Sequence, residues 1–319
     1  MKKKHIAVLM GGWNAEREVS LASGNAAYNA LIELGYPASK IDFGRDIVAV
    51  LEQIKPDIIF NALHGTFGED GRIQGLLDIL NIPYTHSGVL ASAVCMDKIL
   101  AGRICSAIGV KIPRFALIKK GENQKNKKII FEEIGAPFVI KPINQGSSVG
   151  IIVILENMDF DLDQISWEFG DSMMVEQYIA GQEIQVAVLG DKALGAIEVR
   201  PKNLFYDYQC KYTAGMTQYI MPAEITTEKY NELLELAYKC HKELGCKDIS
   251  RIDFILHNKN NLNNDDNNDD NKSADNNFYL LEANTHPGFT PTSLVPKIAK
   301  YCGISFNEIV EYLVNNAKN

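Results

Sequence analysis

The chain has 319 residues, 46% hydrophobic and 23% charged, which is ordinary for a globular protein with two or three separate cores. Its net charge of −8 argues against a general nucleic-acid-binding protein, because no cationic excess is available to neutralise phosphates. The apolar runs are too short to span a bilayer or to serve as an ordinary secretion signal, so no membrane association is expected. Six scattered cysteines without a C-x-x-C pair predict reduced thiols and a cytoplasmic protein.

The first hundred residues alternate between strand and helix patterns. Ile6–Met10 and Ile58–Phe60 are short apolar runs typical of buried strands, whereas Ser20–Leu34 and Ile73–Leu80 have helical periodicity. This alternation predicts a parallel α/β sheet. The first turn, Gly11-Gly12-Trp13, lacks the G-x-G-x-x-G spacing, and the chain has no P-loop sequence, so neither nucleotide fingerprint is present.

A different organisation is predicted after a helix over Lys98–Ile108. From Phe115 the chain has the pattern of strands and turns, and a second long helix is predicted over Glu228–Leu244. The predicted strands are Phe138–Lys141, Ser148–Leu155, Met173–Val175, Ile184–Leu189 and Ala196–Val199. We therefore predict three domains, over residues 1–97, 98–184 and 185–319.

Residues 257–277 form a segment of unusual composition. Fifteen of these 21 residues are Asn or Asp, and almost no apolar side chain is available for burial. The expected structure is a disordered, expanded hairpin loop, because lengthening a surface loop costs little free energy. The spacing of Asp265, Asn267 and Asp269 imitates a calcium loop, but Asp270 and Asn276 stand where its glycine and glutamate are required.

Two short strands flank this segment and carry the most informative side chains. Arg251 and Asp253 lie on one face of the first strand, and Glu282 and Asn284 on one face of the second, because side chains alternate along a strand. If the strands pair, two carboxylates, an amide oxygen and an arginine meet. Such hard oxygen ligands suit Mg²⁺ with nucleotide phosphates, and a pair of strand-end salt bridges is the alternative.

Each of three further segments could either bind a ligand or have a purely structural role. The turn Gln145–Gly150, with Lys141 before it and Lys98 elsewhere, could approach phosphates through backbone N–H groups, or it could be an ordinary hairpin turn. Glu176–Glu183 follows an apolar strand and could contact an adenine and a ribose, or it could be an acidic strand end. His64 follows the Ile58–Phe60 strand, where α/β sheets bind ligands, or it could cap its loop structurally.

Taken together, these motifs resemble one known family along almost the whole chain, from about residue 5 to about residue 313. The matching segments, in order, are Gly11–Gly12 with Ala15–Ser20, Leu63–Gly65, Gly68–Gly71, Met96–Lys98, Lys141–Pro142, Gly146–Gly150, Phe205–Tyr208, Lys211–Tyr212, Gly245–Cys246, Arg251–Asp253 and Leu281–Gly288. The chain resembles the D-alanine–D-alanine ligases of the ATP-grasp superfamily. The resemblance implies an α/β fold of three domains, in which two antiparallel sheets hold ATP.

The resemblance also implies roles for individual residues. ATP would contact Lys98, Lys141, Ser147, Ser148, Glu176, Ile179 and Glu183. Two Mg²⁺ or Mn²⁺ ions would be held by Asp253, Glu282 and Asn284. The first D-alanine would meet Glu16 and His64, with Ser147 and Tyr212 hydrogen-bonded around Glu16. The carboxylate of the second D-alanine would meet Ser293 and Leu294. Arg251 and the Gly288 N–H would stabilise the oxyanion of the tetrahedral intermediate. Residues Phe205–Thr217 would form a lid over the site, with Lys211 and Tyr212 on it.

The implied reaction phosphorylates one D-alanine and ligates the second to it, for peptidoglycan precursor synthesis. Tyr212 accompanies dipeptide formation in the family, whereas phenylalanine there accompanies D-lactate use. A D-lactate or D-serine ligase is therefore the nearest alternative. A non-catalytic nucleotide-binding regulator is disfavoured because Arg251, Asp253, Glu282 and Asn284 are all present, and a Rossmann-type oxidoreductase is disfavoured because its fingerprint is missing. A homodimer is expected from the resemblance alone.

The chain departs from the family pattern at a few positions. Gln145 stands where an acidic residue is common, Gln177 and Tyr178 replace a Lys-Trp pair, and His286 replaces a serine. The metal, oxyanion and serine-loop residues are intact, so these changes bear on nucleotide affinity rather than on activity.

Overall fold

A computed structural model describes residues 3–156, 158–203, 206, 210, 213, 215–257 and 277–318. The predicted lid residues Lys211 and Tyr212 lie outside these ranges, as do residues 258–276 of the insert predicted over 257–277; its end residues, His257 and Asn277, are described. No helix within the described ranges is both long enough and apolar enough to cross a membrane.

The described chain contains twelve strands and nine α-helices. The strands are β1 (Ile6–Met10), β2 (Ala38–Asp42), β3 (Ile58–Asn61), β4 (Phe115–Lys119), β5 (Phe138–Pro142), β6 (Ile152–Ile154), β7 (Ser172–Gln177), β8 (Gly181–Leu189), β9 (Lys192–Pro201), β10 (Thr217–Ile220), β11 (Ile249–His257) and β12 (Phe278–Asn284). The helices are α1 (Arg17–Glu33), α2 (Ile47–Ile54), α3 (Arg72–Ile79), α4 (Val89–Met96), α5 (Lys98–Ala107), α6 (Asn123–Lys128), α7 (Thr227–Glu243), α8 (Leu294–Tyr301) and α9 (Phe306–Asn316).

The strands form three sheets. A parallel sheet has the order β2-β1-β3, a four-stranded antiparallel sheet the order β4-β7-β5-β6, and a five-stranded antiparallel sheet the order β10-β9-β8-β11-β12. The predicted parallel sheet at the N-terminus and the predicted pairing of the two strands around the insert are confirmed. Because β11 and β12 are adjacent, the residues singled out on both strands lie side by side.

Burial on both faces explains why β1 is a continuous apolar run. All five of its residues are buried, with Ile6 and Val8 in one apolar core and Ala7 and Leu9 in another. Helices cover both faces of a parallel sheet, so its central strand has no solvent-facing side. Gly24 lets α1 approach this sheet closely, since a Cβ at that position would overlap the Met10 side chain.

Two predictions about the middle of the chain require correction. The strand predicted over Ser148–Leu155 is limited to β6, because Ser148 and Gly150 have positive φ angles of 58° and 72° and form a turn. The region after Phe115 contains α6 and a π-helix over Ile129–Ile134, whose apolar residues pack on the four-stranded sheet. The strand β8, which begins at Gly181, belongs to the five-stranded sheet.

Candidate active site

Two adjoining cavities, of about 480 Å³ and about 140 Å³, contain all the predicted site residues that the structure describes. The larger cavity is lined by Glu16, His64, Ser147, Arg251, Asn284, Gly288, Ser293 and Leu294. The smaller cavity is lined by Lys141, Ser148, Glu176, Ile179, Glu183 and Asp253. Lys98 and Glu282 line both, so they lie where the two cavities meet. Residues far apart in the chain therefore converge on one region.

The paired strands β11 and β12 form the wall at this junction. Arg251 lies opposite Asn284 and Asp253 opposite Glu282, so the four side chains share one face of the sheet, as predicted. Arg251 Nε and Nη2 donate to the two Asp253 carboxylate oxygens at 2.8 Å, and Nη2 also lies 3.3 Å from Glu282 Oε1. Burial lowers the pKa of Arg251, but the two carboxylates outweigh it and raise that pKa above its usual value. Arg251 is therefore a permanent cation.

The donor set at this wall fits a hard divalent cation. Asp253 and Glu282 supply two carboxylates, and Asn284 supplies an amide oxygen that accepts from the His286 N–H at 2.8 Å. The described residues contain no group of three or more His, Cys, Asp or Glu side chains that could hold a metal ion. The set is instead two carboxylates and an amide, all oxygen donors, which suits Mg²⁺ or Mn²⁺ bound together with phosphates.

The smaller cavity holds a buried ion pair and a second lysine. Lys141 Nζ lies 2.6 Å from Glu176 Oε1, and both side chains are almost fully buried. Lys98 is at the start of α5, which Asp97 caps through the N–H groups of Ile99 and Leu100. Lys98 Nζ donates to the Gln145 carbonyl at 2.6 Å and lies 3.6 Å from Glu282 Oε2. Two lysines thus line this cavity, and one of them, Lys98, is hydrogen-bonded to the glycine-serine turn, Gln145–Gly150.

Glu16 and Ser147 form the link between the first sheet and the glycine-serine turn. Glu16 is the residue at the start of α1, and its Oε1 accepts a hydrogen bond from Ser147 Oγ. Ser147 has a positive φ of 53°, a conformation that accompanies the approach of its hydroxyl to Glu16. Gly65 has no side chain to interfere, since a Cβ there would collide with the Glu16 carboxylate. Residues 131 positions apart in the sequence meet at this contact.

His64 is a buried histidine in the larger cavity, held between Glu69 and Ser23. Its Nδ1 lies 3.1 Å from Glu69 Oε1 and its Nε2 lies 2.8 Å from Ser23 Oγ. Burial lowers the pKa of His64, but the hydrogen bond and charge of Glu69, together with the charge of Glu16, outweigh this and leave the pKa above its usual value. Glu69 and Glu16 therefore favour the protonated form of His64.

Several residues in this region were not singled out from the sequence. Glu69 belongs to the segment Gly68–Gly71, which was part of the resemblance. It lies five residues after His64, a separation that matches neither the helical nor the strand period, so their contact was not predictable. Tyr206 and Tyr219 line the larger cavity with their hydroxyls 2.9 Å apart. Ser23 lies inside α1, and no pattern marks a helical serine as a partner of a distant histidine.

Comparisons with known proteins agree with this geometry. The family described as D-ala D-ala ligase C-terminus matches residues 104–268 and 269–315, and the family described as D-ala D-ala ligase N-terminus matches residues 43–87. The chain is 45% identical over 316 residues to a D-alanine–D-alanine ligase of Rickettsia felis, in a match that spans 99% of this chain and 92% of that protein. It is 43% identical over 321 residues to that of Rhizobium meliloti, in a match that spans 99% of each.

Solved structures also match over almost the full length. The D-alanine–D-alanine ligase of Bacillus anthracis complexed with ATP has a TM-score of 0.78 at 27% identity, with 98% of this chain and 96% of that chain covered. The VanG D-Ala:D-Ser ligase of Enterococcus faecalis has a TM-score of 0.78 at 28% identity, with 98% and 99% covered.

The fold is the predicted α/β fold of the three-domain ATP-grasp class. Within that class, the chain belongs to the D-alanine–D-alanine ligase family.

Proposed function

We propose that this protein ligates two D-alanines to D-alanyl-D-alanine with ATP, through an acyl phosphate, in peptidoglycan precursor synthesis. The observation that carries the proposal is the junction of the two cavities, where Arg251, Asp253, Glu282 and Asn284 share one face. Family membership over nearly the whole chain supports the same reaction.

ATP occupies the smaller cavity in this proposal. Glu176, Ile179 and Glu183 surround adenine and ribose, and the phosphates lie towards Lys98, Lys141 and the turn with Ser147 and Ser148. Lys141 lines this cavity and is buried there with Glu176, which supports a role in the site, because a lysine that serves only solubility is exposed. The ATP named with the B. anthracis neighbour supports the same nucleotide.

Asp253, Glu282 and Asn284 would hold Mg²⁺ or Mn²⁺ beside the phosphates. When bound, the metal would offset negative charge on the transferring phosphoryl group. The carboxylates of Asp253 and Glu282 are held in place by Arg251, whose guanidinium is bidentate to Asp253.

The two amino acids occupy the larger cavity. Glu16 holds the ammonium group of the first D-alanine, and His64 lies near its carboxylate. The carboxylate of the second D-alanine meets Ser293 and Leu294 at the start of α8, where the N–H groups of the first turn and the helix dipole favour an anion.

The chemistry proceeds in two displacements. A carboxylate oxygen of the first D-alanine attacks the γ-phosphorus of ATP, and ADP leaves. The free amine of the second D-alanine then attacks the acyl carbon, and the tetrahedral oxyanion lies between Arg251 and the Gly288 N–H. Collapse of this intermediate expels phosphate and forms the peptide bond, while the amine loses its proton. Lys211 and Tyr212 on the proposed lid shield the acyl phosphate from water.

The second substrate is D-alanine rather than D-serine or D-lactate in this proposal. Curated relatives at 43 to 46% identity carry the dipeptide-ligase name, whereas the D-Ala:D-Ser neighbour is 28% identical. The tyrosine at position 212 supports the dipeptide. We further propose a cytoplasmic homodimer with domains over residues 1–97, 98–184 and 185–319.

The test is ATP-dependent phosphate release with D-alanine alone, D-alanine plus D-lactate, D-alanine plus D-serine, and L-alanine, with products identified by mass. We expect D-alanyl-D-alanine from D-alanine alone, and no release after divalent cations are removed with EDTA. A mixed product as the major species would instead favour the depsipeptide or D-serine alternative. Asp253→Asn is expected to weaken Mn²⁺ binding measured directly by electron paramagnetic resonance.

A further inference from the structure

Asn61, at the end of β3, bonds to two separate loops of the active site. Its Oδ1 accepts from the Leu63 N–H at 3.1 Å, which identifies the oxygen and leaves Nδ2 as the donor. Nδ2 donates to the Gly68 carbonyl at 3.0 Å and to His286 Nε2 at 2.9 Å. Asn61 is 1% exposed, so water cannot replace these partners. One amide therefore holds both the loop that carries His64 and the loop after β12.

His286 lies between two proposed functional groups of that second loop. Its N–H donates to Asn284 Oδ1 at 2.8 Å, and Gly288 follows two residues later. Since Asn61 donates to Nε2, that nitrogen is unprotonated, and the proton is on Nδ1, which lies 3.2 Å from Thr285 Oγ1. The imidazole is stacked on His86 with centroids 4.4 Å apart and planes 20° apart.

A second connection runs parallel to the first. The Phe289 N–H donates to Ser23 Oγ at 3.1 Å, and the same hydroxyl is 2.8 Å from His64 Nε2. The segment from Asn284 to Phe289 is thus attached at two points, and both attachments also hold the His64 loop. Two buried attachments restrict the relative movement of the loops more than one.

We propose that Asn61 and His286 act as one positioning unit, which sets Asn284 and the Gly288 N–H relative to His64. The proposal rests on the proposed function, since it assumes that His64 lies at the first D-alanine and Gly288 at the oxyanion. Asn61 lines neither cavity, and His286 lines the larger one, where it forms hydrogen bonds with Asn61, Asn284 and Thr285. Their effect is on the geometry of groups proposed to contact the substrates, and misplacing such groups by about 1 Å costs on the order of 100-fold in rate.

The experiment compares His286→Gln, His286→Leu, Asn61→Leu and the double leucine variant with the wild type. Glutamine offers an amide oxygen that can accept from Asn61 as Nε2 does, whereas leucine cannot. The matched control is Asn126→Leu, because Asn126 is an equally buried asparagine whose side chain bonds the backbone of Lys119, away from both cavities. The readouts are kcat, KM for ATP and the midpoint of thermal unfolding.

We expect His286→Leu and Asn61→Leu each to lower kcat roughly 10- to 100-fold with KM for ATP within about threefold. His286→Gln should retain kcat within about threefold, and the double variant should be no slower than the worse single one, since both remove the same contact. Asn126→Leu should lower the unfolding midpoint without this loss of kcat.

Multiplicative losses in the double variant, or a His286→Gln enzyme as slow as His286→Leu, would overturn the proposal. So would an equal fall of kcat in Asn126→Leu. If Asn61→Leu does not fold, the comparison of the glutamine and leucine variants at position 286 decides alone. The proposed function is tested separately, by whether the wild type forms D-alanyl-D-alanine. The positioning proposal is tested by the ratios of kcat between the variants and the wild type.

Discussion

Lys141 Nζ and Glu176 Oε1 are 2.6 Å apart, and neither side chain is appreciably exposed. The two residues lie on adjacent antiparallel strands, β5 and β7, with Val139 as the direct partner of Glu176. The pair therefore crosses the sheet diagonally, which long side chains can span. In the proposed function, one partner faces phosphate and the other the nucleoside, so the ion pair connects the two ends of the nucleotide site.

Replacing Lys141 with methionine separates the two contributions of this pair. We expect Lys141→Met to lower the free energy of unfolding by about 3–5 kcal/mol, since it leaves the Glu176 carboxylate buried and unpaired. It should also weaken binding of a non-hydrolysable ATP analogue at least about tenfold, through loss of a charge-assisted contact. Thermal unfolding and calorimetric titration measure the two effects. The double variant Lys141→Met/Glu176→Gln should recover most of the free energy of unfolding but not the affinity for the ATP analogue. Recovery of both would contradict the assignment of Lys141 as a phosphate contact.

The Ser147 hydroxyl orients the Glu16 carboxylate. We expect Ser147→Ala to lower kcat/KM for D-alanine about 10- to 100-fold, because a hydrogen bond to a charged group contributes about 1.5–3 kcal/mol. Ser148→Ala is the control, since Ser148 Oγ donates instead to the Tyr206 carbonyl at 2.9 Å and leaves Glu16 untouched. Steady-state rates at varied D-alanine distinguish them. Equal effects of the two alanine variants on kcat/KM for D-alanine would argue against a specific link to Glu16.

Asp248 destabilises the folded protein at neutral pH. Burial raises the pKa of Asp248 to about 6, against the opposing charges of Lys318 and Lys247. The folded protein therefore holds this proton more tightly than the unfolded chain, whose aspartates have a pKa of about 3.9. It follows that the contribution of Asp248 to stability falls as pH rises from about 4 to about 6 and is constant above that window.

The substitution Asp248→Asn should remove the loss of stability that accompanies ionisation of Asp248. Asparagine also tolerates the positive φ of 59° at this position. We expect the variant to be more stable than the wild type by about 1 kcal/mol at pH 7.5, a figure reduced because the carboxyl is partly exposed, and equal to it at pH 4. Urea unfolding at the two pH values checks this. A constant difference at both would mean that backbone conformation, rather than charge, is responsible.

The ends of the Asn/Asp-rich insert meet at the open end of β11 and β12. The His257 N–H donates to the Asn277 carbonyl at 2.9 Å, and Leu256 pairs with Phe278. We expect replacement of residues 258–276 by Asn-Gly, a sequence that favours tight hairpin turns, to leave kcat within a few-fold. Phosphate release and unfolding midpoint are the measurements. A collapse of kcat in a folded variant would assign the insert a structural or regulatory role.

The local pattern of the sequence is sufficient to predict β1, β3 and the shared face of β11 and β12. Strands with alternating or continuous apolar residues have few other ways to bury them, so the alternation of side chains alone places Arg251 and Asp253 on one face. The positive φ angles of Ser147 and Ser148 are not predictable in the same way. Serine has no strong preference for that region, and the contact with Glu16 that accompanies it comes from another part of the chain.

The sequence by itself determined the alternation of elements, the group of oxygen ligands on one face of β11 and β12 and the family to which the chain belongs, because these depend on residue type and short-range spacing. The tertiary structure decided which distant side chains meet. Glu16 with Ser147, Lys141 with Glu176, and Asn61 with His286 are contacts between segments that no local periodicity relates. Asn61, Lys141 and Glu176 are positioned by their strands, whereas Glu16, Ser147 and His286 lie in the turns that follow or precede an element. Their geometry therefore depends on how those elements pack in the folded chain.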